Sequence, residues 1–164
     1  MRDRALILFL LDTGARASEV LALSLADCDF NAGRCLIRQG KGRKPRMVFF
    51  GKRTRKAIRD YLKNHPASTP ALWLSEGGVP LGYTGLRLMI RRRSHKAGLA
   101  AAPSPHDFRR GFALAYLRAG GDIYTLQKLM GHTDIQVLRS YLAQTDTDTQ
   151  DGHAHYGPVD HLGD

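Results

Sequence analysis

Four side chains in the second half of the chain have the types and spacing that phosphate chemistry requires. His106 and Arg109 lie three residues apart at the start of a predicted helix, so both are on one face. The first turn of a helix attracts anions because its backbone N–H groups lack helical partners and the helix dipole is positive there. His132 follows Gly131, a predicted helix end, and a tight turn and two helical turns could return Tyr141 toward the same pocket. The sequence therefore indicates a phosphate site and permits a tyrosine hydroxyl beside it.

Further charged residues lie nearer the N-terminus. Arg16 and Glu19 are three residues apart on one face of a predicted helix and therefore share a neighbourhood. Lys41 stands between two glycines in a basic turn at residues 40–45, where the backbone can approach a partner closely. This turn is a candidate DNA contact.

The composition favours a polyanionic partner. Lys and Arg number 25 against 15 Asp and Glu, a formal net charge of +10, and cations that bind phosphates release condensed counterions. A solvated basic surface or an anionic membrane surface are the other interpretations. No apolar run reaches the ~18 residues of a membrane span and no signal-peptide pattern is present, so we expect a soluble, cytoplasmic protein. Cys28 and Cys35 are expected to be reduced thiols.

The elements that must position these residues are mostly helices. Apolar periodicity with start and stop signals predicts helices over 3–12, 15–25, 52–64, 83–97, 105–118, 122–130 and 133–142. Short β-rich runs at 35–37 and 47–50 predict a small antiparallel sheet. Ser104, Pro105 and Asp122 are the predicted helix starts. The predicted fold class is α+β, a mainly helical domain with a small antiparallel β-sheet.

Four segments resemble the ordered motifs of the tyrosine recombinase (phage integrase) family. They are Thr-Gly-Ala-Arg-Ala-Ser-Glu-Val-Leu-Ala-Leu at 13–23, Gly-Lys-Gly-Arg-Lys-Pro-Arg at 40–46, Pro-His-Asp-Phe-Arg-Arg at 105–110, and Leu-Met-Gly-His at 129–132 followed by Tyr-Leu at 141–142. Each segment alone is a weak signal, whereas four in order, at spacings similar to the family's and covering residues 3 to about 145, are specific.

The resemblance implies the chemistry. Tyr141 would attack a DNA phosphodiester to give a 3′-phosphotyrosyl bond and a free 5′-hydroxyl. Arg16 and Arg109 would hold the scissile phosphate, since guanidinium groups stay charged and bind two oxygens at once. Lys41 would protonate the leaving 5′ oxygen, and Lys44 in the same turn is the alternative general acid.

The remaining implied roles are auxiliary. His106 would assist proton transfer at the tyrosine hydroxyl, His132 would hydrogen-bond the phosphate, and Glu19 would orient its neighbours. The predicted DNA-binding residues are Arg43, Lys44, Arg46, Arg87, Arg91 and Arg110. The expected partners are double-stranded DNA and other protomers of a recombinase assembly, with no membrane, no metal and no small-molecule cofactor.

The resemblance also implies a domain organisation. Residues 1–145 would form the catalytic domain, and 146–164 a C-terminal tail that docks on a neighbouring protomer. Family members generally carry an N-terminal core-binding domain as well, which this chain lacks, so we expect an excised fragment with weak, salt-sensitive DNA affinity.

Three other functions compete with site-specific recombination or integration. Residues 122–142 can be interpreted as the helix-turn-helix of a non-catalytic DNA-binding regulator. A type IB topoisomerase-like relaxing enzyme would share the tyrosine chemistry. A metal-dependent nuclease is less favoured, because Asp146, Asp148 and Asp151 lie in the predicted tail. The target DNA sequence, and integration as against excision or chromosome resolution, stay open.

Overall fold

The computed structural model of the chain describes residues 1–38, 45–66 and 68–131. Within these ranges the elements are α1 (Arg2–Thr13), α2 (Ala17–Leu21), β1 (Cys28–Asp29), β2 (Arg34–Ile37), β3 (Arg46–Phe49), α3 (Lys52–Leu62), α4 (Tyr83–Lys96), α5 (Pro105–Arg118) and α6 (Ile123–Met130). The predicted α+β class is confirmed. Over the same ranges, no helix combines the length and the apolar character that crossing a membrane needs.

Helix α1 is central to the hydrophobic core. Its apolar side chains are almost continuous along the sequence, and Leu6, Phe9 and Leu10 are fully buried. The Phe9 ring lies 5.4 Å from that of Phe50 and 5.7 Å from that of Trp73, measured between centroids. Helices α3 and α5 and strand β3 all pack against α1, and the turn after α1 contacts α5 through Gly14.

The sheet is a three-stranded antiparallel meander in the order β1-β2-β3. Its register places Cys28 directly opposite Cys35, with Cα atoms 4.1 Å apart, and the two residues form a disulfide. The expectation of two reduced thiols is therefore wrong. The reason is the hairpin register, which makes residues seven apart in sequence direct cross-strand neighbours.

Helix α2 is shorter than predicted because the chain after it pairs with a distant segment. The pattern indicates a helix to Leu25, but the helix ends at Leu21. The backbone N–H of Leu25 donates to Pro70 O (2.8 Å), and that of Leu72 donates to Leu23 O (2.9 Å). These long-range bonds remove the backbone groups that the last helical turn would have used.

The predicted starts of α5 and α6 are confirmed. Ser104 caps α5: its Oγ accepts from Asp107 N (3.3 Å), while the Asp107 carboxylate accepts from Ser104 N (2.8 Å). The Asp122 carboxylate accepts from Thr125 N (2.6 Å) at the start of α6. Gly131 ends α6 with a φ of 76°. These caps fix where each helix begins and ends, and hence which residues face the site.

Candidate active site

The predicted catalytic residues divide into two groups by where they lie. Arg16, Glu19, His106 and Arg109 are within the described part of the chain. The others lie outside it, namely Lys41, His132 and Tyr141, as do Lys44, the alternative general acid, and Arg43, a predicted DNA contact. The first group and the residues that contact it make up the described part of the site.

The Glu19 carboxylate joins the first two motifs. Arg16, the N-cap of α2, donates its backbone N–H to Glu19 Oε2 (2.8 Å) and its Nη1 to Oε1 (3.2 Å). From the start of β3, Arg46 donates Nη1 to Oε1 (2.8 Å) and Nη2 to Oε2 (2.7 Å). The predicted neighbourhood of Arg16 and Glu19 is present, and a second arginine, 27 residues further along the chain, completes it.

These contacts determine the ionisation of Glu19. Burial by itself raises the pKa of this carboxyl group, because a charged carboxylate is poorly solvated inside a protein. The hydrogen bonds from Arg46 and from the Arg16 backbone, together with both guanidinium charges, outweigh burial and lower the pKa from 4.5 to about 2. Glu19 is therefore a fixed negative charge at neutral pH and has no proton to transfer there.

Arg46 also contacts the end of α6. Its Nε donates to Leu129 O (3.0 Å), so all three guanidinium nitrogens bond protein groups, and the side chain is only 9% exposed. The sequence groups Arg46 with the DNA contacts, whereas the structure gives its guanidinium an internal use. The spacing of Glu19 and Arg46 in the chain carries no signal of this pair, because strand β3 brings them together only in the folded protein.

Arg109 joins three separate segments from inside the fold. It is 3% exposed, and its Nη1 donates to Gly14 O (2.6 Å) while its Nη2 donates to Met130 O (2.8 Å). Gly14 lies two residues before Arg16, and Met130 is the last residue of α6. A buried guanidinium at the C-terminal end of a helix is favoured because the helix dipole is negative there. The turn after α1, helix α5 and the end of α6 are thus held at one place.

Gly14 is a site residue that the sequence marks only as a helix break. Its φ of 58° is left-handed, and a β-carbon there would lie 2.2 Å from Cδ1 of Phe112 on α5. The absence of a side chain lets α5 pack directly on this turn. The Thr13-Gly14 break is visible in the sequence, but the contact with Phe112 is not.

His106 occupies the first turn of α5, one turn before Arg109, and is exposed. The pKa of its neighbour Asp107 is lowered, first by hydrogen bonds from the Ser104 side chain and backbone, and the charge of Arg110 acts in the same direction. The Arg110 Nη1 lies 3.8 Å from Asp107 Oδ1. The helix start thus presents an accessible imidazole one turn before a buried guanidinium.

Arg87 and Arg91 lie one helical turn apart on the exposed surface of α4. Both line an open cleft of about 350 Å³ whose other wall includes Ser104 and Pro105, the start of α5. Two basic side chains therefore border the helix turn that carries His106. Arg92, on the same helix, instead bonds Glu76 Oε1 (3.0 Å) and Asp3 Oδ2 (3.5 Å).

The described residues place fixed positive charge at the end of α6. Among residues 1–38, 45–66 and 68–131, no cluster of three or more His, Cys, Asp or Glu could hold a metal ion. The fold does assemble two arginines, Arg46 and Arg109, which bond adjacent carbonyl oxygens at the end of α6. Such preorganised charge stabilises a phosphate whose negative charge grows during a reaction.

Comparison with known proteins gives the family of the chain. A sequence model described as "Phage integrase family" matches residues 1–148. The chain therefore belongs to the phage integrase family, which confirms the resemblance carried by the four motifs. It is 35% identical over 149 residues to the tyrosine recombinase XerC of Lactobacillus leichmannii, an alignment that covers 86% of this chain and 50% of that protein.

Solved structures show the same fold. The crystal structure of the XerA recombinase matches with a TM-score of 0.82 and 29% identity, covering 96% of this chain and 58% of that one. A structure of the XerH site-specific recombinase bound to difH substrate, described as a pre-cleavage complex, matches with a TM-score of 0.70 and 27% identity over 86% of this chain and 42% of that one. The chain spans about half the length of the relatives that it matches.

Proposed function

We propose that this chain is the catalytic domain of a site-specific DNA recombinase that breaks and rejoins DNA through Tyr141. The observation that carries the proposal is the clustering of Arg16, Glu19 and Arg109 at the end of α6, immediately before His132. Residues from both ends of the described chain meet there through fixed hydrogen bonds. Membership of the phage integrase family, and the likeness to a recombinase bound to its substrate before cleavage, support the same activity.

The proposed reaction is a transesterification. The Tyr141 oxygen attacks the scissile phosphorus as its proton passes toward His106, and the P–O5′ bond breaks as Lys41, or Lys44, protonates the 5′ oxygen. Arg16 and His132 bind the phosphate oxygens. Arg109 supplies further positive charge from inside the fold, where its own Nη1 bonds the Gly14 carbonyl two positions before Arg16. Attack of a 5′-hydroxyl on the phosphotyrosine reverses these steps, so the phosphodiester energy is conserved and neither ATP nor a metal is consumed.

The proposed setting follows from the proposed chemistry. Double-stranded DNA is the substrate, other protomers supply the remaining active sites of the assembly, and the reaction takes place in the cytoplasm at the nucleoid. Arg87 and Arg91 contact phosphates beside the start of α5, and Arg43, Lys44 and Arg110 add further contacts. Residues 1–145 form the catalytic domain and 146–164 dock on a neighbouring protomer.

A covalent-adduct assay tests the proposal. The protein is incubated with nicked suicide DNA substrates in excess EDTA, and the products are separated on a denaturing gel. We expect a protein–DNA adduct that Tyr141→Phe abolishes. Tyr124→Phe is the matched control, since Tyr124 is 72% exposed on α6, and this variant should form the adduct at the normal rate. DNA binding without any adduct in the full-length protein would favour the non-catalytic regulator instead.

A further inference from the structure

Arg46 connects three segments to which the proposed function assigns catalytic residues. It is the first residue of β3, paired with Ile37, and it follows Lys41 by five positions in the sequence. Its side chain binds Glu19, which in turn fixes the backbone and the guanidinium of Arg16. Its third bond is to Leu129 O, three residues before His132.

The chemistry of the contact requires arginine. Two parallel bonds to a carboxylate need the planar guanidinium fork, and the third nitrogen is used for a carbonyl in a different direction. A lysine ammonium could neutralise Glu19, but it could not hold the carboxylate and the helix end in one fixed geometry. At 9% exposure the side chain is also shielded from competing water.

The contacts of Arg46 complement those of Arg109. Arg109 binds Met130 O and the Gly14 carbonyl, whereas Arg46 binds Leu129 O and Glu19. Two adjacent carbonyls at the end of α6 are thus each linked to residues 14–19, here called the Arg16 segment, by arginines from different elements. The loss of either tie would leave the helix end and the Arg16 segment free to shift relative to each other.

We infer that Arg46 is a positioning residue for phosphate activation: through Glu19 and Leu129 O, it holds the Arg16 segment and the end of α6 in the geometry that stabilises the transition state. The inference rests on the proposed function. It assigns Arg46 an effect on the rate of cleavage and little effect on DNA binding, which is the opposite of what a surface contact to DNA would give.

The first experiment separates catalysis from binding in the full-length protein. Single-turnover adduct formation is measured at saturating suicide substrate, and the Kd for the same DNA by fluorescence anisotropy. For Arg46→Gln we expect a cleavage rate constant lower by about a hundredfold with a Kd changed by less than about threefold. Arg46→Lys should recover about tenfold of that loss, because it keeps the charge but not the fork.

The second experiment asks whether the loss concerns the charge on the phosphate. A methylphosphonate at the scissile position replaces one charged oxygen by a methyl group, so the transition state needs less positive charge. The slowing caused by Arg46→Gln should shrink at least about tenfold on this substrate, as should that of Arg16→Ala, the benchmark for a misplaced phosphate clamp. A variant that was merely less well folded would be slowed equally on both substrates.

The controls test whether the variants stay folded and whether Arg46 acts through Glu19. Arg34→Gln removes an arginine from the neighbouring strand β2, where it is 53% exposed and lies 3.5 Å from Asp29, and it should cleave normally. Glu19→Gln combined with Arg46→Gln removes the buried charge along with its partner, so this pair should unfold in urea near the wild-type midpoint. Its cleavage should be no slower than that of Arg46→Gln alone, since both changes break one path.

Each outcome decides between distinct statements. Normal cleavage by Arg46→Gln, equal slowing on both substrates, or a large rise in Kd with an unchanged rate constant would overturn the positioning role and leave the proposed function intact. A wild-type protein that forms no adduct, or a Tyr141→Phe variant that still forms one, would overturn the proposed function and the positioning role together.

Discussion

At the scale of the residue, the ionisation of Glu19 makes the stability of the folded protein depend on pH. Its pKa in the folded protein is about 2 against 4.5 ordinarily, so the folded state binds the proton more weakly than the unfolded state. The stabilisation is complete above about pH 4.5 and is lost as the pH falls toward 2. With about 1.4 kcal/mol per pKa unit, reduced for partial solvent access, we expect about 1.5 kcal/mol to disappear between pH 6 and pH 3.

Urea unfolding of wild type and Glu19→Gln at the two pH values measures this loss. The difference in unfolding free energy between the two proteins should shrink by that amount at pH 3, because the glutamine does not titrate. Glu76→Gln is the control, since Glu76 is 75% exposed in its side chain, and its difference from wild type should stay within about 0.5 kcal/mol at both pH values. A Glu19 difference that does not change with pH would contradict the role of this ion pair.

At the scale of the element, the packing of α5 on the turn after α1 depends on the absence of a side chain at Gly14. Ala at position 14 would put a methyl group 2.2 Å from the Phe112 ring in a backbone conformation with φ 58°. We expect Gly14→Ala to lower the free energy of unfolding by about 2 to 4 kcal/mol, from left-handed strain together with overpacking. It should also slow adduct formation, because the Gly14 carbonyl accepts a hydrogen bond from Arg109.

Gly98→Ala is the matched control for this substitution. Gly98 has a φ of 72°, but nothing lies within 4 Å of an added β-carbon. This variant should therefore lower the free energy of unfolding only by the left-handed strain, about 1 kcal/mol, with normal adduct formation. Equal losses in the two variants would show that backbone conformation alone explains Gly14, without the contact to α5.

The elements also show what the sequence could predict. Helices α1 and α3 to α6 were predictable because apolar periodicity and caps such as Ser104 and Asp122 are local signals. The early end of α2 depends on bonds to the distant segment at Pro70 and Leu72, and the Cys28–Cys35 disulfide depends on the register of β1 on β2, neither of which apolar periodicity encodes. The same holds in the site: the Arg16–Glu19 pair is a helical spacing, whereas Arg109 reaches Gly14 across 95 residues.

At the scale of the whole molecule, the net charge is +10, but the arginines that contribute to it differ in whether a carboxylate of the protein already binds them. Several arginines are tied to buried or half-buried carboxylates, as Arg93 is to Asp3 (2.8 Å) and Arg46 to Glu19. A guanidinium already paired in this way has less to gain from a phosphate. The arginines that determine DNA affinity should therefore be those on the open surface near α5, and helix α4 carries both kinds.

The salt dependence of DNA binding distinguishes the two kinds of arginine on this one helix. Each phosphate contact contributes about 0.9 to the slope of log Kd against log salt concentration, so Arg87→Gln and Arg91→Gln should each lower the slope by about 1. Arg92→Gln is the control from the same helix: Glu76 and Asp3 already bind that guanidinium, and a hydrogen bond from it to Glu76 is the main cause of its raised pKa. Its slope should change by less than half as much.

Fluorescence anisotropy of labelled DNA at about 50 to about 300 mM salt measures the three slopes. Equal changes in all three variants would mean that total charge governs binding and that the cleft between α4 and α5 is not a DNA contact.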